Sequence, residues 1–219
     1  MIKTDAQIQR DVMDELRWDP AVGDAEIGVA VKDAVVTLAG EVESFAKRFA
    51  AVKAAERVAG IRALAEDIHV KIPSAATRTD TEIAHAAANA LEWDVEVPVA
   101  GVTARVQDGW VWLEGSVEWQ YQRAAAERAV RYLTGVKGVN NVLKISPKLS
   151  AGDVKSRIEQ ALKRNAEVES KHITIETAPD GKVVLRGTVH SFAERTDAEN
   201  AAWSAPGVRE VDDELAVVT

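Results

Sequence analysis

One short motif recurs three times along this chain of 219 residues and limits what it can fold into. Val-x-Leu-x-Gly-x-Val stands at Val36–Val42, at Val111–Val117 and at Val183–Val189. Its glycines, Gly40, Gly115 and Gly187, are 75 and then 72 residues apart. A second glycine follows each at a distance of twenty residues, as Gly60, Gly135 and Gly207. Arg48, Arg123 and Arg195 each lie eight residues past the motif glycine. Upstream, Ile8, Ile83 and Val154 each precede a leucine by eight residues, Leu16, Leu91 and Leu162. A fixed period of this size means one supersecondary unit used three times.

Short polar or proline-bearing connectors separate the units, Ile72–Thr77 and then Ser146–Ser150. The expected domains are therefore 1–73, 74–147 and 148–219. A domain this small has a limited core and gains by packing against a neighbour. Hydrophobic residues at 47% and charged residues at 28% fit a globular chain. The net charge of -8 disfavours nucleic acid as a partner, because phosphate binding needs clustered cations.

Within each unit the order reads helix, strand, strand, helix, strand. Thr4, Thr79 and Ser150 stand where a hydroxyl caps the first helix, and Gln7, Glu82 and Asp153 follow at the third residue. Ile8, Val12 and Leu16 then share one helix face, as do Ile83, Ala87 and Leu91, and Val154, Ile158 and Leu162. A hairpin follows, turning at Lys32-Asp33, at Gln107-Asp108-Gly109 and at Pro179-Asp180-Gly181. The second helix is expected over about Ser44–Ala59, Trp119–Leu133 and Ser191–Ala205. The last strand carries Ile68 and Val70, Leu143 and Ile145, or Leu215 and Val217, spaced by two. The fold class is α+β: three αββαβ domains, each a small three-stranded mixed sheet with two helices on one face. The third strand is expected parallel to the second, with the first strand between them.

An αββαβ unit with this glycine motif in its second strand resembles the BON domain (bacterial OsmY and nodulation). So does the run Gly138-Val139-Asn140-Asn141-Val142-Leu143-Lys144-Ile145 at the end of the second unit. The asparagine position holds Glu66 in the first unit and Asp213 in the third. The resemblance covers almost the whole chain. It implies an envelope or stress-related role, through phospholipid surfaces or as a non-enzymatic interaction module.

The chain has no Cys, so it has no thiolate nucleophile and no Cys-ligated metal. No phosphate-cradling glycine loop, nucleophile elbow or paired-histidine zinc motif is present. His69, His85, His172 and His190 lie far apart and at different repeat positions. Neither a cofactor, a metal nor an enzyme activity is expected. The start Met-Ile-Lys-Thr-Asp-Ala-Gln lacks the apolar run of a signal peptide, which reads as cytoplasmic. A chain relieved of an export signal would read the same way and be periplasmic. No apolar stretch is long enough to cross a membrane.

Six Trp against two Tyr and three Phe is a marked bias. Trp18 and Trp93 share a repeat position and are expected to pack at a helix end. Trp110 and Trp112 flank Val111 and Leu113, so strand alternation turns both indoles away from the core. Trp119 replaces the serines of the other repeats, Ser44 and Ser191, and is expected to be exposed. Such a patch meets a neighbouring repeat, a partner or a lipid headgroup layer. Arg123 joins it as a candidate surface contact, and basic residues of the second helices could face lipid phosphates. The glycines Gly40, Gly115 and Gly187 are expected to serve the backbone, where a Cβ would collide. Two functions follow. The first is phospholipid or membrane-surface binding in an envelope or osmotic stress setting. The second is a soluble protein-interaction or stress-protective scaffold without lipid binding. The oligomeric state stays open.

Overall fold

A computed structural model describes residues 3–98, 100–147, 173–178 and 180–218. The first helix expected in the third repeat, with Ser150, Asp153, Val154, Ile158 and Leu162, lies outside the described residues. So do Pro179 and His172. Among the described residues the chain divides into two compact units. One is drawn from Met1–Gly40, Phe49–Ile68 and Leu149–Thr219, the other from Glu41–Arg48 and His69–Lys148.

The first repeat runs α1 (Asp5–Trp18), β1 (Ile27–Lys32), β2 (Val35–Val42), α2 (Phe45–Glu56) and β3 (Ala63–Val70). A single 3-10 turn at Ser74–Ala76 precedes the second repeat. That repeat runs α3 (Asp80–Trp93), β4 (Val102–Gln107), β5 (Trp110–Val117), α4 (Gln120–Arg131), β6 (Gly138–Asn141) and β7 (Lys144–Ile145). The third shows β8 (Ile173–Thr177), β9 (Lys182–Val189), α5 (Phe192–Trp203) and β10 (Glu210–Val217). Each repeat therefore builds a small mixed sheet with helices, the expected α+β class.

Both described first helices start on complete capping boxes. Gln7 N–H donates to Thr4 Oγ1 at 3.3 Å while Thr4 N–H donates to Gln7 Oε1 at 2.9 Å. Thr79 and Glu82 repeat the exchange at 3.2 and 2.8 Å. Each box satisfies two amide groups that a helix start would leave unpaired. Ile8, Val12 and Leu16 are buried along α1, and Ile83, Ala87 and Leu91 along α3.

The order of strands differs from expectation. The motif strand, not the first strand, is central: the orders are β1-β2-β3, β4-β5-β6 and β8-β9-β10. The two-residue hairpin keeps the first strand on one edge of the motif strand. The strand returning from the crossover helix takes the other edge. It runs parallel there, as β6 does to β5 and β10 to β9. Burial explains the choice, because the motif supplies the apolar heart of each core: Val36 and Leu38, Val111 and Leu113, Val183 and Leu185 are all fully buried. Cutting such a leucine to alanine costs about 2–5 kcal/mol.

The second helices cover this face with alanine. Ala51, Ala54 and Ala55, Ala125 and Ala126, and Ala198 and Ala202 have no exposed surface. Small side chains let the helix lie close on the sheet, and enlarging one would overpack the core. Phe45, at the start of α2, packs against the core of the second repeat.

Gly40, Gly115 and Gly187 sit at φ of +154, +118 and +133. A Cβ on Gly40 would stand 2.6 Å from the Glu26 carbonyl oxygen, and one on Gly115 would enter the Gly101 carbonyl. Only glycine allows the first strand to approach the motif strand this closely.

The hairpin of the first repeat turns one residue later than expected, at Asp33 and Ala34, with φ of 53 and 61. Asp108 and Gly109 form the matching turn with φ of 53 and 81. Positive φ at both central residues marks the turn type whose twist matches the flanking strands.

Candidate binding surface

The outer face of the motif strand carries the indoles. Along β5, Val111 and Leu113 are buried, Trp110 is exposed and Trp112 half-buried. The two rings lie 6.5 Å apart, tilted by 41°. Each already has a neighbour of its own. The Trp110 ring lies over Gly138, its register partner on β6, so closely that a Cβ there would enter the ring. The Arg105 guanidinium lies 4.4 Å from the Trp112 ring centre, a cation–π contact, and Arg105 also pairs with Glu114 at 3.4 Å.

Trp119, expected to be exposed, is half-buried, and Arg123, the candidate surface contact, bonds within its own repeat. Trp119 occupies the N-cap of α4 and is half-buried, and its N–H donates to Gln122 Oε1 at 3.1 Å. Half-buried Arg123 fastens the helix to the third strand. Its guanidinium donates to the Asn141 carbonyl at 3.1 Å, and Asn141 Nδ2 donates back to the Arg123 carbonyl at 2.9 Å. Arg195 and Asp213 repeat this clasp, with Nε to Oδ2 at 2.6 Å and a second bond to the Asp213 carbonyl at 3.2 Å. Asn141 and Asp213 also accept the N–H of the residue two further on, Leu143 and Leu215. The Asp substitution in the third repeat therefore preserves the asparagine's task.

The cations of the second helices are engaged with carboxylates. Lys47 pairs with Glu43, Lys53 with Glu56, Arg131 with Glu127, and Arg128 with Glu96. Arg57 bonds both Glu15 at 3.0 Å and Asp19 at 2.9 Å. The Arg57 hydrogen bond holds the Asp19 carboxyl below its ordinary range. These helices present no unbalanced basic face to lipid phosphates.

Trp18 and Trp93 overturn the expectation of packing. They are 84% and 85% exposed. Helix geometry explains it. Leu16 and Leu91 face the core, and two residues further the helix has turned by about 200°. The helix ends there, with Asp19 and Asp94 already extended. The signal lay in the sequence as an offset from the leucine face that an aromatic count does not register. Val95, beyond Trp93, is 99% exposed.

A family model describing the BON domain matches residues 4–72, 79–147 and 150–219. The chain belongs to the BON domain family. Its repeats pair the family's glycine strand with the Arg123–Asn141 and Arg195–Asp213 clasps just described. The chain is 36% identical over 127 residues to the osmotically-inducible protein Y of Escherichia coli (strain K12), covering 54% of this chain and 61% of that protein. It thus spans about three-fifths of that relative's length. Two solved structures of CdsD, a structural protein of the type III secretion system of Chlamydia trachomatis, align over 95% and 99% of this chain and 91% and 100% of theirs. They are 12% and 11% identical with a TM-score of 0.26, too loose a superposition to carry any inference about this BON chain. Among the described residues no helix is long and apolar enough to cross a membrane. No group of three or more His, Asp or Glu residues is placed to hold a metal among them either.

Proposed function

We propose that this chain is a non-catalytic binding protein that engages the headgroup layer of phospholipid membranes in an osmotic-stress setting. The observation that carries the reading is the pair of nearly fully exposed indoles, Trp18 and Trp93, at one position of two repeats. An indole gains most at a bilayer interface, where the ring is buried and the N–H stays wet. Trp110, 36% exposed, and Trp112 beneath Arg105 offer a second, flatter contact. The name of the osmotically-inducible relative supports the stress setting. The net charge of -8 and the paired cations make this attachment indole-led, so it tolerates salt and gains nothing from anionic lipid.

Co-sedimentation with phosphatidylcholine vesicles and with phosphatidylethanolamine–phosphatidylglycerol vesicles tests this. The wild-type chain should pellet with both, and the Trp18→Ser/Trp93→Ser double variant should stay in the supernatant. Its thermal melting should hold within about 0.5 kcal/mol of wild type, as expected for exposed positions. A wild-type chain that pellets with neither vesicle would leave the soluble interaction scaffold as the reading, and a double variant that pellets equally well would remove Trp18 and Trp93 from the contact.

A further inference from the structure

The outer edge of the second repeat's sheet is open where the first repeat's is closed. β1 and β4 each form one edge of their sheets. In the first repeat Gln9 reaches over the edge from α1, and its Nε2–H donates to the Val29 carbonyl at 2.7 Å. Met13 follows one turn along the same helix. Seventy-five residues on, these two positions are Ala84 and Ala88, and Val29 becomes Ala104. An alanine cannot bond the edge carbonyl or overhang it.

The edge itself is regular. Ser116 N–H donates to the Gly101 carbonyl at 2.8 Å, and this sets the alternation of the β4–β5 ladder. Thr103, Arg105 and Gln107 exchange bonds with β5, and the main-chain groups of Val102, Ala104 and Val106 face outward. No proline interrupts them. Beside them α3 and β4 wall a cleft of about 390 Å³ lined by Ala88, Leu91, Val97, Pro98, Val102 and Ala104, with Glu92 and Thr103 its two polar members. A row of unpaired main-chain donors and acceptors next to a mostly apolar cleft is a template for another strand.

We propose that this edge pairs, antiparallel, with β4 of a second copy of the chain about a two-fold axis through Ala104. Ala104 then faces its own counterpart, and Val102 faces the second copy's Val106, so every outward main-chain group is bonded. The register is self-complementary in charge, which favours a second copy over an unrelated strand. Across the ladder Thr103 stands opposite Glu114 and Arg105 opposite Trp112. Dimer pairing sets Thr103 opposite the second copy's Arg105. Each row of the joined sheet then reads Glu114, Thr103, Arg105, Trp112, the last two from the second copy. Carboxylate and guanidinium are two strands apart, roughly 10 Å between backbones, within reach of the two side chains. Across the joined strands no like charges face one another, and the interface is isologous as a two-fold requires. On the other face Ala84 and Ala88 leave room for the second copy's α3 and let it cover the cleft. The assembly is independent of lipid binding.

Sedimentation velocity of the full chain over about 1–100 μM tests the proposal. The wild type should dimerise within that range. Ala84→Gln/Ala88→Met, which transplants the first repeat's overhang, should raise the dimer dissociation constant at least about tenfold with circular dichroism unchanged. Arg105→Glu should weaken the dimer, and Arg105→Glu/Glu114→Arg should restore it. A chain that remains monomeric throughout, a dimer equally tight in the overhang variant, or a charge swap that fails to restore pairing would overturn it.

Discussion

Asp80, the first residue of α3, grips the turn of its own hairpin: one carboxylate oxygen accepts the N–H of Gly109 at 2.8 Å, the other that of Asp108 at 2.7 Å. Asp5 does the same for Asp33 and Ala34, both at 2.9 Å. A carboxylate in the first helical turn is favoured by the helix dipole, and two charge-assisted bonds add to that. Asp80→Ala should lower stability by about 1–3 kcal/mol in urea unfolding, and Asp80→Asn by less. A loss within error for both would show that the grip adds nothing. In the third repeat this position is Ala151, and the turn relies instead on Asp180, whose Oδ1 accepts the N–H of Lys182 at 3.1 Å.

Ala34 bears a strain that the second repeat avoids. Its φ of 61 lies in the left-handed region, where a Cβ costs roughly 1–2 kcal/mol, and the matching residue is Gly109. Ala34→Gly should stabilise the chain by about 0.5–1 kcal/mol, since relief of strain outweighs the added freedom of the unfolded chain. Thermal melting of the single variant decides it, and a lowered midpoint would contradict the turn geometry.

Gly138 and Trp110 should behave as one unit. A Cβ on Gly138 would enter the indole ring, so Gly138→Ala should cost about 1–3 kcal/mol by overpacking. In a Trp110→Val background the same change should cost little. The double-mutant cycle is the measurement, and additive effects would mean the ring can swing aside freely.

Acid should weaken the fold through two carboxylates. The backbone N–H of Thr79 bonded to Glu82 holds that carboxyl below its ordinary 4.5. The Arg57 guanidinium bonded to Asp19 holds the latter below 3.8. Both folded values are depressed, so their contribution is complete above the ordinary values and lost as pH falls through the folded ones. The melting temperature should be flat from about pH 7 to about pH 5 and decline below about pH 4.5. Glu82→Gln and Asp19→Asn should melt lower at neutral pH and lose less on acidification.

The repeats, capping boxes and buried faces were legible because each is a local pattern with a fixed period. Ile8, Val12 and Leu16 could face only one way along a helix. Strand order was not legible, since nothing local distinguishes which edge of the motif strand receives the returning chain. The fate of the indoles depended on partners that periodicity does not name: Gly138 on the returning strand under Trp110, and Arg105 across the hairpin against Trp112. Arg123 recurred in every repeat, and recurrence alone does not separate a surface contact from a clasp on Asn141. Trp18 and Trp93 differ from the packing expected of large aromatics at a helix end because the helical angle turns them away from their buried leucine neighbours.

The outer sheet faces of the second and third repeats occupy the same place in the fold with opposite chemistry. Where Trp110 covers Gly138, the third repeat sets Lys182 between Glu210 and Asp212 at 2.9 and 3.0 Å. Two rows on, Arg186 joins Glu176 at 2.6 Å and Glu214 at 2.7 Å. Exposed ion pairs are attenuated over a Debye length that shrinks from about 8 Å at physiological ionic strength to about 3 Å at 1 M. Indole on glycine has no charge to screen, and strongly hydrated salts reinforce apolar contact. As water leaves a cell and its ions concentrate, the charged ladder loosens while the aromatic one tightens, so a single chain carries two sheet faces of opposite ionic response.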